Sequence, residues 1–157
     1  MAFPKPDPNL KPLAVGTIAP HFKLPASGIP EGHSLSLEGF KGNPWVLVFY
    51  PRDKTPGCTK QLCALQDDLT QFASLNCKVV ASNFGTLASH ESFAAKYGYT
   101  FPILVDAQKT MATAYSVLKS DGGTQRTVYV IDAEGIIRFG EQGMVKHEAL
   151  HAILHSL

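Results

Sequence analysis

Two cysteines separated by four residues carry the strongest chemical signal in the sequence. Cys58 and Cys63 lie within the run TPGCTKQLC at 55–63. A cysteine reacts as its thiolate, and an oxidised cysteine condenses with a second thiol to form a disulfide. The pair therefore indicates redox chemistry. The third cysteine, Cys77, belongs to an alternating run at 77–82 and is expected to be a buried structural thiol, with a disulfide partnership as the less favoured alternative.

The residues before Cys58 are those that begin a helix. Thr55 is a favoured N-cap residue, and the proline after it restricts its backbone to the extended conformation that an N-cap adopts. Pro56 would occupy the first helical position, where a missing N–H removes no hydrogen bond. Cys58 would then be the third helical residue, near free backbone N–H groups and the positive end of the helix dipole. Both features favour a thiolate.

Helical spacing places the two cysteines on different faces. Cys58 shares a stripe with apolar residues that recur every three or four positions, namely Leu62, Leu65, Leu69 and Phe72. Cys63 lies about 140° away round the helix, on the polar face. Cα atoms five residues apart in a helix are about 8 to 9 Å apart, beyond the ~7 Å limit for a disulfide. A bond between these cysteines therefore requires the start of the helix to unwind.

The elements that must position this segment alternate between strands and helices. The apolar run at 45–50 predicts a strand buried on both faces, and the cysteine helix follows it. The sequence RTVYVI at 126–131, a turn at 132–135 and a strand at 136–139 form the clearest hairpin. Further strands are predicted at 77–82 and 101–105, and further helices at 89–97, 110–118 and 146–155. The pattern indicates an α/β fold with a mixed central sheet flanked by helices.

The remaining sequence limits the classes of protein that fit. Residues 1–18 predict a proline-rich extended arm, and 19–157 predict a single domain that opens with a small hairpin and loops. A net charge of +1 provides no strong field for nucleic acid or an anionic membrane. The longest apolar run, at 45–50, is far shorter than the ~20 residues that span a bilayer. We expect a soluble, cytoplasmic protein without nucleic-acid or membrane partners.

The residues around Cys58 resemble the active-site segment of a known family. The pattern Pro51-x-x-x-Thr55-x-x-Cys58 resembles the peroxiredoxin active-site motif, and FYPRDKTPGCTKQLC is similar to its bacterioferritin-comigratory, or PrxQ, branch. In that branch a resolving cysteine follows the peroxidatic one by five residues. The likeness extends over about residues 16–155 and includes APHFKLP at 19–25 and RTVYVID at 126–132.

The resemblance implies a fold, an activity and a set of roles. It implies a thioredoxin-like fold, a peroxide substrate, a thioredoxin-type dithiol reductant, a monomer, and activity without a metal or an organic cofactor. Cys58 would be the peroxidatic cysteine and Cys63 the resolving cysteine. Thr55 and Arg126 would activate the site, and Pro51 would shield the pocket.

The sequence departs from the family pattern at one position, Gln61, and in one segment, 81–85. Gln61 stands where the family commonly has Glu, so a charged contact to the active-site arginine would be weakened. The residues at 81–85 read Ala-Ser-Asn-Phe-Gly where the family has Gly-Val-Ser-x-Asp. Arg52 and Arg138 are rival candidates for the active-site arginine, although Arg52 falls in a loop and Arg138 near a turn. The departures at Gln61 and at 81–85 remove no reacting group. They therefore affect the shape of the pocket and the rate rather than the class of reaction.

Other interpretations fit parts of the same pattern. A redox-sensing interaction protein would use the disulfide to change partner binding with little turnover. A disulfide reductase is disfavoured because no Cys-x-x-Cys is present, and zinc binding because the cysteine pair lacks further ligands. His147, His151 and His155 recur every four residues, and we expect them to form the solvated flank of the last helix rather than a metal site.

Overall fold

A computed structural model of the protein describes residues 7–157. The strands are β1 (Lys23–Leu24), β2 (Ala26–Ser27), β3 (Leu35–Ser36), β4 (Trp45–Phe49), β5 (Lys78–Asn83), β6 (Ile103–Val105), β7 (Thr127–Ile131) and β8 (Ile137–Gln142). The helices are α1 (Pro56–Asp67), α2 (Leu69–Ser74), α3 (Leu87–Tyr97), α4 (Thr110–Ala114) and α5 (His147–His155), with a 3-10 turn at Leu37–Phe40. Six strands form the central sheet in the order β2-β6-β5-β4-β7-β8. The predicted α/β, thioredoxin-like fold with a mixed sheet is confirmed.

The position of β4 in this sheet decides where the site lies. It pairs with β5 in parallel and with β7 in antiparallel orientation. Phe49, its last residue, is opposite Ser82 on one side and Thr127 on the other. Because β7 runs in the opposite direction to β4, the residue before Thr127 is placed beside the point where the chain leaves β4 for α1. That residue is Arg126.

The core consists of two hydrophobic clusters, one on each face of the sheet. Alternate side chains of a strand point to opposite faces, and β4 supplies three to each cluster when its exit residue is included. Val46, Val48 and Tyr50 join the cluster that contains residues of α1, α2, α3 and α5, and Trp45, Leu47 and Phe49 join the cluster that contains the 3-10 turn and α4. The helix that carries Cys58 is thus packed on a strand buried on both faces.

One helix is shorter than its sequence predicts. The pattern at 110–118 predicts a helix, but α4 ends at Ala114. Ser116 has a φ of +59°, a left-handed conformation that stops the helix, and Leu118 forms an isolated β-bridge with Thr124. Apolar periodicity does not reveal this reversal, because the residues after the helix remain buried in the same core.

The helical run is interrupted at Asp68, between α1 and α2, and the Asp68 carboxylate contacts two histidines. His147 Nδ1 is 3.0 Å and His151 Nε2 is 2.8 Å from Asp68 Oδ2. These imidazoles are 22% and 20% exposed and pack edge-on against Phe72. The prediction of a solvated flank is therefore wrong for His147 and His151. Of the three histidines in α5, only His155 is exposed. Helical spacing did not predict this contact, because the partner carboxylate is remote in sequence.

The segment before the domain contacts the sheet. The backbone N–H of Leu13 donates to the Tyr129 hydroxyl at 2.9 Å. The predicted arm falls partly on residues 1–6, which lie outside the described residues, so the division at residue 18 stays a prediction. No helix within residues 7–157 is long and apolar enough to cross a bilayer.

Candidate active site

The loop between β4 and α1 is tied to the neighbouring strand by an asparagine. Asn83, the last residue of β5, donates from Nδ2 to the carbonyl oxygens of Tyr50 at 2.8 Å and Pro51 at 2.9 Å. Its Oδ1 accepts from the Gly85 N–H at 2.7 Å. Each polar group of this amide therefore holds main chain. The predicted shielding residue, Pro51, is fixed at the entrance of the loop.

A buried carboxylate holds the middle of the same loop. Asp53 accepts hydrogen bonds from His90 Nδ1 at 2.6 Å, from Ser89 Oγ at 2.7 Å and from the Tyr50 hydroxyl. Burial by itself would raise the pKa of Asp53, but the hydrogen bonds from His90, Tyr50 and Ser89 outweigh it and hold the pKa below 3.8. The His90 side chain is fully buried, and its Nε2 contacts the Asn83 carbonyl at 3.2 Å. The loop is thus anchored to α3 as well as to β5.

The start of α1 has the predicted residues but a different hydrogen bond. Thr55 is the N-cap residue in extended conformation and Pro56 is the first helical residue, as the sequence predicts. The Thr55 hydroxyl makes no capping hydrogen bond to the helix and donates instead to the Arg52 carbonyl at 3.1 Å. The first helical hydrogen bond runs from Thr59 N to Thr55 O. The N–H groups of Gly57 and Cys58 precede it and remain free to face a ligand.

Cys58 is in contact with a buried arginine. Its side chain is 1% exposed, and Arg126 Nη2 lies 3.4 Å from its Sγ. Arg126 is 8% exposed and donates from Nη1 to Gln61 Oε1. Gln61 stands where the family commonly has Glu. It therefore keeps a hydrogen-bond acceptor for the guanidinium but places no negative charge beside it. The full positive charge of Arg126 faces the thiol without a carboxylate partner at this contact.

The rival arginines lie elsewhere. Arg52 is exposed, and the site uses its carbonyl rather than its guanidinium. Arg138 donates from Nε to Asp132 Oδ2 at 2.6 Å, in the hairpin turn. The structure thus places Cys58, Thr55 and Arg126 around one end of β4.

Cys63 is half-buried rather than on a solvated face. It packs against the hydrophobic cluster of α1 and α3, and its Sγ is 3.4 Å from the Tyr99 hydroxyl. The polar-face interpretation is wrong in this respect, because Tyr99, which follows α3, contacts α1 at Thr59 and Cys63. All three cysteines are free, and both Cys58 and Cys63 lie within the intact helix α1.

Cys77 is buried, as predicted for a structural thiol. It is 5% exposed, and its thiol donates to the Lys78 carbonyl at 3.3 Å. Burial raises the pKa of Cys77 to about 12, with a weaker opposing effect from a hydrogen bond at Val46. A thiol that resists ionisation is a poor nucleophile.

Sequence reasoning missed the residues that hold the site from outside the motif. Asn83 lies in the segment 81–85, which departs from the family pattern. That departure marks the segment as unusual but does not indicate what Asn83 does. Asp53, His90 and Tyr99 gave no such signal, because their partners are distant in sequence. Within residues 7–157, no group of three or more His, Cys, Asp or Glu side chains is arranged to hold a metal ion.

Thiol-dependent peroxidases combine a thioredoxin-like fold with a cysteine at the start of a helix and an arginine beside its sulfur, and this is the class of enzyme that the fold and the site define. Comparison with known proteins makes the class specific. The chain belongs to the AhpC/TSA family, whose model matches residues 15–139.

Its relatives are peroxiredoxins. It is 37% identical over 132 residues to the putative peroxiredoxin bcp of Coxiella burnetii, covering 80% of this chain and 85% of that protein. It is 36% identical over 129 residues to the chloroplastic peroxiredoxin Q of Triticum aestivum, covering 81% of this chain and 58% of that protein. The chain thus spans little more than half the length of this plant relative.

Solved structures agree with this assignment. The Xanthomonas campestris peroxiredoxin Q superimposes with a TM-score of 0.78 at 28% identity, over 96% of this chain and 98% of that one. The BcpB peroxidoxin of Mycobacterium tuberculosis superimposes with a TM-score of 0.83 at 27% identity, over 91% and 97% of the two chains.

Proposed function

We propose that the chain reduces hydrogen peroxide and organic hydroperoxides at Cys58 and then forms a Cys58–Cys63 disulfide, which a thioredoxin-type dithiol reduces. The observation that carries the proposal is the contact between the Cys58 sulfur and the Arg126 guanidinium at the start of α1. A related structure, the bacterioferritin comigratory protein of Xanthomonas campestris, was studied for its alkyl peroxide reduction activity. That protein supports the inclusion of organic hydroperoxides.

The first step breaks the O–O bond of the peroxide. The Cys58 thiolate attacks one oxygen, which becomes the hydroxyl of a sulfenic acid, and the other oxygen leaves as water or an alcohol after taking a proton. Negative charge develops on the departing oxygen, and Arg126 together with the free N–H groups of Gly57 and Cys58 stabilises it. The Thr55 hydroxyl already donates to the Arg52 carbonyl. Its oxygen therefore serves the peroxide as a hydrogen-bond acceptor.

Acidity of the thiol contributes the smaller share of the rate. A free thiol of pKa ~8.5 is about 3% ionised at pH 7, so complete ionisation gains only about 30-fold. One preorganised donor aimed at the developing charge contributes roughly 3 to 4 kcal/mol, a larger factor. The guanidinium beside Cys58 is the donor that suits this role, because its planar fork stays charged.

The second step closes the disulfide. The Cys63 sulfur attacks the sulfenic sulfur of Cys58, the S–O bond breaks, and the hydroxyl leaves as water with the thiol proton. Both cysteines lie in the intact helix, where Cα atoms five residues apart are about 8 to 9 Å apart. The first turns of α1 must therefore unwind before the bond forms. An external dithiol then exchanges with the disulfide and restores both thiols.

The setting of the enzyme is also proposed. A chain that keeps three free thiols suits a reducing compartment such as the cytoplasm. We propose that it works as a monomer, without a metal, an organic cofactor, nucleic acid or a membrane. The reaction as written needs only protein groups, the peroxide and the dithiol.

Stopped-flow kinetics of the reduced protein test the first step. Hydrogen peroxide should be consumed at a second-order rate far above that of free cysteine. Cys58→Ser should abolish this reaction, while Cys77→Ser, a change at a buried thiol outside the site, should retain it. A rate equal to that of free cysteine would contradict the proposal and favour a redox-sensing protein with little turnover.

A further inference from the structure

The hydroxyl of Tyr99 lies between the two parts of α1 that the disulfide must bring together. It is 3.4 Å from Cys63 Sγ and donates to the carbonyl of Thr59 at 3.3 Å. Thr59 directly follows Cys58, so the two contacts join the residue next to the peroxidatic cysteine to the resolving cysteine. We call this pair of contacts the Tyr99 bridge.

The two hydrogen bonds of the Tyr99 hydroxyl can run in one direction, from the Cys63 thiol to the phenol and from the phenol to the Thr59 carbonyl. Since the phenol donates its one proton to the Thr59 carbonyl, its oxygen is left to accept from the Cys63 thiol. The same Thr59 carbonyl is the helical acceptor for the Cys63 N–H, four residues on. Burial raises the pKa of Tyr99, and the neighbouring Cys63 raises it further, so the phenol remains a neutral donor.

The Tyr99 ring is fixed by its neighbours. The residue is 7% exposed, its ring stacks on Phe101 at 5.2 Å and it meets Phe93 edge-on at 5.1 Å between centroids. Phe93 belongs to α3 and packs in the core. Because this aromatic group is anchored outside α1, the hydroxyl cannot follow Thr59 when the first turns of α1 unwind. Unwinding must therefore break the Tyr99 bridge.

We propose that Tyr99 is a positioning residue that holds the first turns of α1 and the Cys63 thiol in the resting arrangement, and thereby sets the rate of disulfide formation. The proposal rests on the proposed function, since it concerns the second step of that cycle. The hydrogen bonds of the Tyr99 hydroxyl go to Thr59 and Cys63, so we expect its removal to leave the rate of the first step unchanged.

The same residue then sets the sensitivity of the enzyme to excess peroxide. While α1 is folded, the Cys58 sulfenic acid meets a second peroxide molecule, whose O–O bond breaks as the sulfur takes up one oxygen and becomes a sulfinic acid; water or an alcohol leaves. Unwinding competes with this reaction because it commits the sulfenic acid to the disulfide. A more firmly held helix therefore allows more sulfinic acid at a given peroxide concentration.

Tyr99→Phe tests the proposal, because phenylalanine keeps the ring in its stack and removes only the bridging hydroxyl. Disulfide formation after one equivalent of hydrogen peroxide should be about fivefold faster, the factor that one net hydrogen bond carries. The second-order rate of sulfenic acid formation should stay unchanged, and the yield of sulfinic acid at high peroxide should fall by the same factor. Tyr97→Phe is the matched control: its ring stacks on Tyr99 at 5.9 Å, but it is more exposed.

Amide hydrogen exchange of the reduced protein supplies a readout that does not depend on peroxidase activity. In Tyr99→Phe the amides of residues 59–63 should exchange about fivefold faster, while those of β4 keep their wild-type rates. Equal acceleration in β4 would mean general destabilisation and would overturn the proposal, as would unchanged exchange and disulfide rates or the same changes in Tyr97→Phe. Failure of the wild-type protein to form the disulfide, with the exchange result as expected, would count against the proposed function instead.

Discussion

At the scale of single residues, the proposed reactivity rests on the contact between Cys58 and Arg126. The sulfur is almost completely buried, and the guanidinium beside it donates to a neutral amide, Gln61. A carboxylate at that position would share the charge of the arginine. The amide accepts a hydrogen bond from the guanidinium without adding a negative charge beside it.

Replacing Arg126 by alanine should lower the second-order rate of peroxide reduction at least tenfold. The variant loses a charged donor at the oxygen on which negative charge develops. Stopped-flow measurement of sulfenic acid formation gives the rate. Arg138→Ala, which removes a guanidinium bound to Asp132 in the hairpin turn, is the matched control and should keep the wild-type rate. Equal rates for Arg126→Ala and wild type would move the activating role to another group.

Cys77 should be the least reactive of the three thiols. Its pKa, raised to about 12 by burial, leaves a negligible fraction ionised near neutral pH. Timed alkylation of the reduced protein with iodoacetamide, followed by peptide mass spectrometry, should label Cys58 and Cys63 well before Cys77. Labelling of Cys77 first would contradict its structural role.

At the scale of elements, the site is formed where β4, β5 and β7 place three chain segments together. Period-two and helical patterns predicted these elements well, because each reports which face of a segment is buried. The motif likewise located Thr55 and Cys58. The contact with Arg126 depends on the antiparallel register of β4 with β7, which no local pattern specifies.

The errors at Cys63 and at the histidines of α5 have one origin, which is a partner remote in sequence. The polar neighbours of Cys63 in sequence predict a polar face, but Cys63 packs against the hydrophobic cluster and contacts the Tyr99 hydroxyl. The partners of His147 and Asn83 are also far away in sequence. Local sequence indicates which face of an element is apolar; it does not indicate which remote side chain meets a given polar residue.

The hydrogen bonds to Asp53 should make stability depend on pH in the acid range. Its pKa in the folded protein lies below 3.8, so between the folded and unfolded values the unfolded chain binds more protons. Its contribution is thus complete above about pH 4 and is lost as the pH falls through the folded value. Urea unfolding from pH 6 to pH 2.5 should show a steeper acid loss in wild type than in Asp53→Asn.

Asp67→Asn, at an exposed position of α1, is the control for this experiment. It should retain the wild-type pH dependence. If Asp53→Asn and wild type lost stability in parallel on acidification, the carboxylate would not be held in its charged form by the loop network.

At the scale of the whole molecule, a buried sheet supports one helix that the proposed cycle requires to open. The strands β4, β5 and β7 are buried throughout or nearly so, and the side chains of α1 that enter the core lie at Cys58, Leu62 and Leu65. Unwinding of the first turns exposes part of this set while the later turns can stay packed. The fold therefore permits local opening without global unfolding.

Oxidation should accordingly loosen one segment only. After one equivalent of peroxide, amide exchange should accelerate in residues 59–63 and remain unchanged in β4, β5 and β7. Hydrogen exchange mass spectrometry of the reduced and oxidised protein measures both regions in one experiment. Acceleration throughout the sheet, or none in α1, would contradict a disulfide that forms by local unwinding.

The most direct test of the catalytic cycle is the identity of the disulfide. Reduced protein is treated with one equivalent of hydrogen peroxide, its remaining thiols are alkylated, and its peptides are analysed without reduction by mass spectrometry. The proposed cycle should yield a Cys58–Cys63 bond with Cys77 alkylated. A Cys58–Cys77 bond, or a sulfenic acid on Cys58 with no disulfide, would contradict it.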